Sequence, residues 1–300
     1  MLNANNIEII EKIGRLKKQK NAVILAHVYQ RGEVQDIADY VGDSLDLSKK
    51  AVSTAADVIV FCGVQFMAET AAILNPQKVV LLPDKQAGCG LADLATVQQL
   101  KILKWKYPVA AVVSYVNSSA EIKAESDICC TSANAIEVVD SLPHEQILFV
   151  PDRNLGSHVA EHTNKEIILW NGYCYVHEKI TAAQILLLRG RYPEAEVIVH
   201  PECTTDVRHL ADFVGSTSQM SRHVSHSEKI RFIVGTEDNF VYRLKKDNPG
   251  KIFYPAGTLC KGMNEITLEK IRFALEQNKY RITVKNEIQT KARKALNFLD

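Results

Sequence analysis

The chain has 300 residues, of which 46% are hydrophobic and 24% charged, the balance of a globular protein with room for one large α/β domain or several small ones. Its 36 lysines and arginines nearly cancel its 35 aspartates and glutamates. The charge therefore gives no attraction to nucleic acid or to an anionic membrane, and small molecules are the expected partners.

From the N-terminus, Met1 to Lys20 reads as a polar amphipathic helix with Ile9, Ile10, Ile13 and Leu16 on its apolar side and no continuous apolar h-region. No later apolar run approaches the ~18 residues that cross a bilayer. A cytoplasmic location is expected. Seven cysteines, an odd count, argue there against a disulfide framework and for reduced thiols, buried or metal-bound.

Next comes a pattern that recurs three times: a β-branched strand ending in a polar or aromatic residue, a helix, a second strand, a helix, a third strand and a cysteine. The first strands are Ala22 to His27, Ala110 to Tyr115 and Glu196 to His200. With His27, Tyr115 and His200 taken as equivalent, Asp39, Asp127 and Asp212 each follow by 12 positions, and Ser44, Ser132 and Thr217 by 17. The second strands (Val58 to Gly63, Ile147 to Pro151, Phe232 to Gly235) end 36, 36 and 35 positions on, and the third (Lys78 to Pro83, Glu166 to Trp170, Lys251 to Pro255) end 56, 55 and 55 on. Three copies of one unit of roughly 85 residues explain these offsets, a longer period than solenoid repeats have. Apolar strands alternating with helical stretches such as Gln65 to Leu74 and Ser157 to His162 indicate parallel βαβ layers covered on both faces. The expected fold class is thus α/β, with three similar Rossmann-like αβα domains. Their boundaries are read as 1–86 (completed by 264–300), 87–172 and 173–263. Thr267 to Asp300 reads as mostly helical, with a short strand at Tyr280 to Val284 closing back on the first unit.

Cys89, Cys174 and Cys260 lie 62, 59 and 60 positions after the three anchors, each just past a third strand among turn formers. A single cysteine is most often a small buried hydrophobe. Three at matched positions instead suggest thiolate ligands, for zinc with an open position or for three irons of a 4Fe-4S cluster. Spacing leaves that choice open, although all-thiolate ligation without a nearby fourth ligand leans towards iron-sulfur. Cys62, Cys129, Cys130 and Cys203 fall at unmatched positions and read as packing residues.

His27 and Tyr29, Tyr115 and Asn117, and His200 and Glu202 each sit two apart at a strand end, so each pair shares a face. Ser44, Ser132 and Thr217 lie in motifs that suit a helix start. Each hydroxyl taken alone reads as an N-cap, whereas the threefold recurrence favours anion binding. His27 and His200, with His177 three residues after Cys174, are candidates for acid–base work. His144, His158, His162, His209, His223 and His226 read as surface residues.

Several blocks, in order, carry a family resemblance: Ala26-His27-Val28-Tyr29-Gln30, Gly42-Asp43-Ser44-Leu45, Gly63-Val64-Gln65-Phe66-Met67-Ala68-Glu69, Tyr115-Val116-Asn117-Ser118, Pro151-Asp152-Arg153-Asn154-Leu155-Gly156, His200-Pro201-Glu202 and Val214-Gly215-Ser216-Thr217-Ser218-Gln219-Met220. Over essentially its whole length the chain resembles quinolinate synthases. The resemblance implies three αβα domains with parallel sheets around a pseudo-threefold axis. It also implies condensation of iminoaspartate (iminosuccinate) with dihydroxyacetone phosphate to quinolinate, the pyridine precursor of NAD. By matching position it makes Cys89, Cys174 and Cys260 the ligands of a 4Fe-4S cluster. His27, Ser44, Tyr115, Asn117, Ser132, His200, Glu202 and Thr217 become the substrate pocket, and Tyr29 and His177 join His200 and Glu202 in proton transfer. An aspartate oxidase or dehydrogenase is the implied source of the imine. The chain departs from the family pattern only beside these positions, at Val28, Gly90, the tyrosines flanking Cys174 and Lys261-Gly262, and it lacks the extra cysteines that longer members carry near the third ligand.

Two rival readings differ in class: a non-catalytic iron-sulfur or zinc sensor of a dicarboxylate, and a dehydratase using an open iron on another acid. The sensor lacks a basic recognition helix, a docking tail or a large apolar stripe. Formation of quinolinate from the two precursors separates all three.

Overall fold

Each copy of the repeat builds one four-stranded sheet in the computed structural model, which describes residues 4–297. The first sheet contains β1 (Ala22–His27), β2 (Tyr40–Gly42), β3 (Val58–Cys62) and β4 (Val79–Leu81). The second contains β5 (Ala111–Tyr115), β6 (Ile128–Cys130), β7 (Gln146–Val150) and β8 (Glu166–Leu169). The third contains β9 (Glu196–Val199), β10 (Phe213–Val214), β11 (Arg231–Gly235) and β12 (Ile252–Pro255). Every pairing within them is parallel, and the orders β2-β1-β3-β4, β6-β5-β7-β8 and β10-β9-β11-β12 are the same. The fold is α/β. In such an order the chain turns from one side of the first strand to the other, and ligands bind beyond the carboxyl ends at that switch.

The chain divides into two compact units. One runs to Cys89 and includes Cys260–Thr290; the other is Gly90–Leu259 with residues 291–297. The first unit holds the first sheet. Its Cys260–Thr290 segment adds an antiparallel bridge from Arg281 to Leu81, and its Leu268–Gln277 helix buries Leu268, Ile271, Ala274 and Leu275. The second unit holds the other two sheets. Beneath β9 and β11, Val197, Val199 and Ile233 pack with Ile180, Ile185 and Val207; Val112, Leu148 and Val150 pack with Leu100, Ile122 and Trp170 in the sheet before it. No described helix is long and apolar enough to cross a membrane.

The sequence pattern shows three strands per copy, and the structure has four. The additional ones, β2, β6 and β10, are edge strands of three, three and two residues, too short to show a period. Their location explains the recurring aspartates. Asp39, Asp127 and Asp212 stand immediately before or close to these strands, and each accepts a hydrogen bond from the central strand, at Ile24 N (2.8 Å), Val112 N (2.7 Å) and Val197 N (2.8 Å). The same residues donate their own N–H to the Ile24, Val112 and Val197 carbonyls. A second recurrence is also structural. Lys78, Lys165 and Lys251, at the start of the last strand of each sheet, donate to carbonyls at the C-terminal end of an earlier helix, namely those of Thr54, of Leu142 and of Val224 and Ser227. A cation at that end meets the negative pole of the helix.

Candidate active site

All three first strands end in the residues singled out from the pattern. His27 closes β1 and Tyr115 closes β5, while His200 follows β9. The loop after each strand is fixed by a buried polar side chain on the next short helix. Gln35 Nε2 donates to the Gln30 carbonyl (2.8 Å) and to that of Val28 (3.0 Å). Lys123 Nζ donates to the Ser118 carbonyl, and Arg208 Nη1 to that of Cys203 (2.8 Å). The acceptors Gln30, Ser118 and Cys203 all lie three residues past an anchor, and the donors Gln35, Lys123 and Arg208 eight past. These donors are 4%, 0% and 3% exposed. A glutamine, a lysine and an arginine do not look alike, so residue type hides them in the sequence, and their common spacing is the signal that marks them.

In the second unit, Tyr115, Ser132, His177, His200 and Glu202 are brought together. Glu202 Oε2 lies 3.2 Å from His200 Nδ1, 3.4 Å from His177 Nδ1 and 3.5 Å from the Tyr115 hydroxyl. The two imidazoles stack, with centroids 4.7 Å apart and planes at 23°. Ser132 Oγ lies 3.2 Å from His200 Nε2, and Thr236 Oγ1 lies 2.9 Å from His177 Nε2. Since the Glu202 N–H donates to His200 Nδ1 (3.3 Å), the neutral ring carries its proton on Nε2, facing the serine. Burial raises the Glu202 carboxyl well above the usual range, and the nearby Asp152 charge adds to this. Burial lowers the His177 imidazole to about 3. The site thus pairs a carboxyl that tends to keep its proton with an imidazole that tends to stay neutral. Asn154 Nδ2 holds the Glu202 carbonyl at 3.1 Å. Asn117 Oδ1 and Glu202 Oε1 are buried and have no hydrogen-bond partner among the described residues.

The first unit contributes a smaller group. His27 Nδ1 accepts from the Tyr29 N–H at 3.1 Å, the arrangement seen between His200 and Glu202, and the two rings meet edge-on at 4.6 Å. Burial lowers the His27 imidazole to about 3. Ser44 and Thr217 each begin a helix, but neither is the cap. Asp43 accepts from Leu45 N and Asp46 N, and Ser216 accepts from Gln219 N in a capping box. With that task taken by the preceding residue, the hydroxyls of Ser44 and Thr217 are not needed for capping. Ser132 lies in a turn and not at a helix start: the helix after it, Ala135–Ser141, has Asn134 at its cap position.

Of the seven cysteines none forms a disulfide, and only Cys89, Cys174 and Cys260 are not fully buried. Burial pushes the thiols of Cys62, Cys129, Cys130 and Cys203 up, that of Cys129 to about 12, as expected of packing residues. The turns carrying the other three are tied alike, by a backbone bond to the residue two positions before the cysteine: Gln65 N to Ala87 O (2.8 Å), Arg153 N to Gly172 O (2.8 Å) and Asp238 N to Thr258 O (2.9 Å). Cys174 and Cys260 start one-turn helices with nearly the same backbone (φ −78°, ψ 115° and φ −86°, ψ 113°), and neither side chain caps its helix. Asp152 Oδ2 accepts from Cys174 N at 3.0 Å. In the first unit, a Cβ on Gly262 would stand 2.0 Å from the Gly88 carbonyl, so the turns of Cys89 and Cys260 touch backbone to backbone. Cys174 Sγ, a His177 nitrogen and a Glu202 oxygen lie within 4.8 Å of one another. Half-buried soft thiols in matched turns, none of them in a disulfide, fit a thiolate-bound metal.

Comparison with known proteins decides the family. Residues 11–299 match the family model described as Quinolinate synthetase A protein, NadA. The chain belongs to the quinolinate synthase family. It is 52% identical over 290 residues to the quinolinate synthase of Thermodesulfovibrio yellowstonii and 52% identical over 292 residues to that of Desulforudis audaxviator, covering 96% of each chain in both pairs. To quinolinate synthase 2 of Methanosarcina acetivorans it is 50% identical over 291 residues, or 96% of this chain and 94% of the relative. The blocks that carry the resemblance to quinolinate synthases include the strand-end pairs and the Thr217 motif, and the chain is an enzyme of that family.

Proposed function

We propose that the chain condenses iminoaspartate with dihydroxyacetone phosphate to quinolinate, with loss of phosphate and water, in the synthesis of NAD, and that Cys89, Cys174 and Cys260 hold a 4Fe-4S cluster with one iron open. The reading is carried by the buried group around Glu202 beside Cys174, taken together with the family match. The reaction exchanges water and phosphate for new C–C and C–N bonds without net electron transfer, so it needs acids, bases and a place for anions, not an oxidant. When bound, an open iron supplies Lewis acidity to an oxygen of the substrate.

The chain's own residues supply the rest. Glu202 Oε2 lies within reach of Tyr115, His177 and His200, so a proton can pass between any of them and the substrate. Tyr29 beside His27 offers a second proton-transfer pair in the first unit. Ser44, Ser132 and Thr217 bind carboxylate or phosphate through hydroxyls, and Asn117 Oδ1 accepts from the substrate. Burial of the group keeps water from the imine, which hydrolyses readily. Because iminoaspartate is short-lived in water, its source is an enzyme that oxidises aspartate, an oxidase or a dehydrogenase.

The test uses protein purified without oxygen, with iron and sulfide quantified, and supplied with both precursors. Quinolinate is the expected product, and single replacement of Cys89, Cys174 or Cys260 by alanine removes cluster absorbance and activity together. Absence of the pyridine from cluster-loaded protein would refute the activity; full iron content in all three variants would refute the ligand assignment.

A further inference from the structure

Five of the six histidines that the pattern assigns to the surface, His158, His162, His209, His223 and His226, line one groove of about 1040 Å³ in the second unit. One of them already has a specific task, since His223 Nε2 pairs with Glu196. His158 and His162 differ. They stand four residues apart at the end of the Arg153–Ala160 helix, with ring centroids 4.5 Å apart, and their ligand nitrogens lie within 4.8 Å of each other and of a Glu161 oxygen.

We propose that His158, Glu161 and His162 form a binding site for a divalent late first-row transition ion such as Zn2+, Co2+ or Ni2+. The hydrogen bonds prepare the ligands. His162 Nδ1 lies 2.7 Å from the His158 carbonyl, which can only accept, so the proton is on Nδ1 and the lone pair of the neutral ring is on Nε2. Glu161 Oε1 accepts from Arg208 at 2.6 Å and from Ser157 Oγ at 3.4 Å, which holds the carboxylate and leaves Oε2 for an ion.

The donor set selects the kind of ion. One carboxylate, already paired with Arg208, is too little for Mg2+ and Ca2+, which need several anionic oxygens. Two imidazoles remain, and these favour borderline ions of the late first row. With three protein ligands, at least one position is left for water or for a small anion in the groove.

Cobalt distinguishes this site from thiolate ligation, because cysteine-bound Co2+ shows a sulfur-to-metal charge-transfer band in the near ultraviolet and nitrogen- or oxygen-bound Co2+ does not. The full chain, untagged and prepared without oxygen, is dialysed against Co2+, and bound metal and spectrum are compared with those of His158→Gln/His162→Gln. Wild type is expected to bind one equivalent more than the variant. That equivalent shows visible d–d bands without the sulfur band, and excess Mg2+ does not displace it. Equal stoichiometry in both proteins, or charge transfer from all bound cobalt, overturns the proposal. Should the double variant not fold, His162→Gln alone, at an exposed position, is expected to weaken the same equivalent at least tenfold, and unchanged affinity there overturns the proposal equally.

Discussion

Glu202 is a buried carboxyl group, 3% exposed, with two imidazole nitrogens and a phenol hydroxyl within 3.5 Å. An amide of the same shape keeps the packing and the Asn154 contact, which goes to the backbone carbonyl, but it cannot exchange a proton. Glu202→Gln is therefore expected to lower quinolinate formation by about a hundred- to ten-thousand-fold, with iron content and thermal unfolding near wild type. A loss of activity that merely follows a loss of iron would show a structural role. His27 makes a prediction of a different kind. Its folded imidazole is held near 3 against 6.5 in the unfolded chain, so between those values the unfolded chain binds more protons. The stability due to the neutral ring is complete above 6.5 and is lost as the pH falls through the window, by about 1.4 kcal/mol per pH unit. Urea midpoints at about pH 7 and about pH 5 are expected to lie closer together in His27→Asn than in wild type; an equal gap in the two proteins would show that the ring titrates normally in the fold.

Across each short helix after a first strand, one buried donor sets the loop that carries the polar pair. Gln35→Leu removes a donor from two carbonyls, those of Val28 and Gln30, and leaves buried acceptors without it. The expected cost is about 1–3 kcal/mol, read as a lower urea midpoint. A fall in kcat is expected with it, because Tyr29 is on the loop released and His27 stands at its start. Unchanged kcat in folded Gln35→Leu would confine the residue to a structural role. The same elements show how far a single sequence can be read. Apolar runs disclose β1, β3 and β4, β5, β7 and β8, and β9, β11 and β12, and fixed offsets disclose the cysteines and the strand-end pairs. Offsets alone do not assign a purpose: Asp39, Asp127 and Asp212 recur as regularly as the cysteines yet pin edge strands. Ser44 and Thr217 lie in helix-start motifs, but the cap is the residue before each. Thr236, which meets His177 from β11's far end, has no counterpart in the spacing, and only the folded chain reveals it.

Over the whole molecule, the proposed cluster and the fold are separable. The apolar cores of the second and third sheets are built from residues such as Leu148, Val150, Val197 and Ile233, and the first sheet from Ile24, Leu25, Ile59 and Leu81. Cys89, Cys174 and Cys260 belong to none of these cores, and their turns are tied by backbone bonds that need no ion. This differs from small zinc domains, in which binding free energy is folding free energy because no core exists without the metal. Here hydrophobic burial over some three hundred residues is sufficient for folding. Anaerobic chelation is therefore expected to abolish quinolinate formation while far-UV circular dichroism stays within a few per cent of the loaded protein, and added iron and sulfide are expected to restore the activity. Melting of the helices on chelation would mean that the fold depends on the metal, and full activity of the metal-free chain would mean that the three cysteines serve neither purpose.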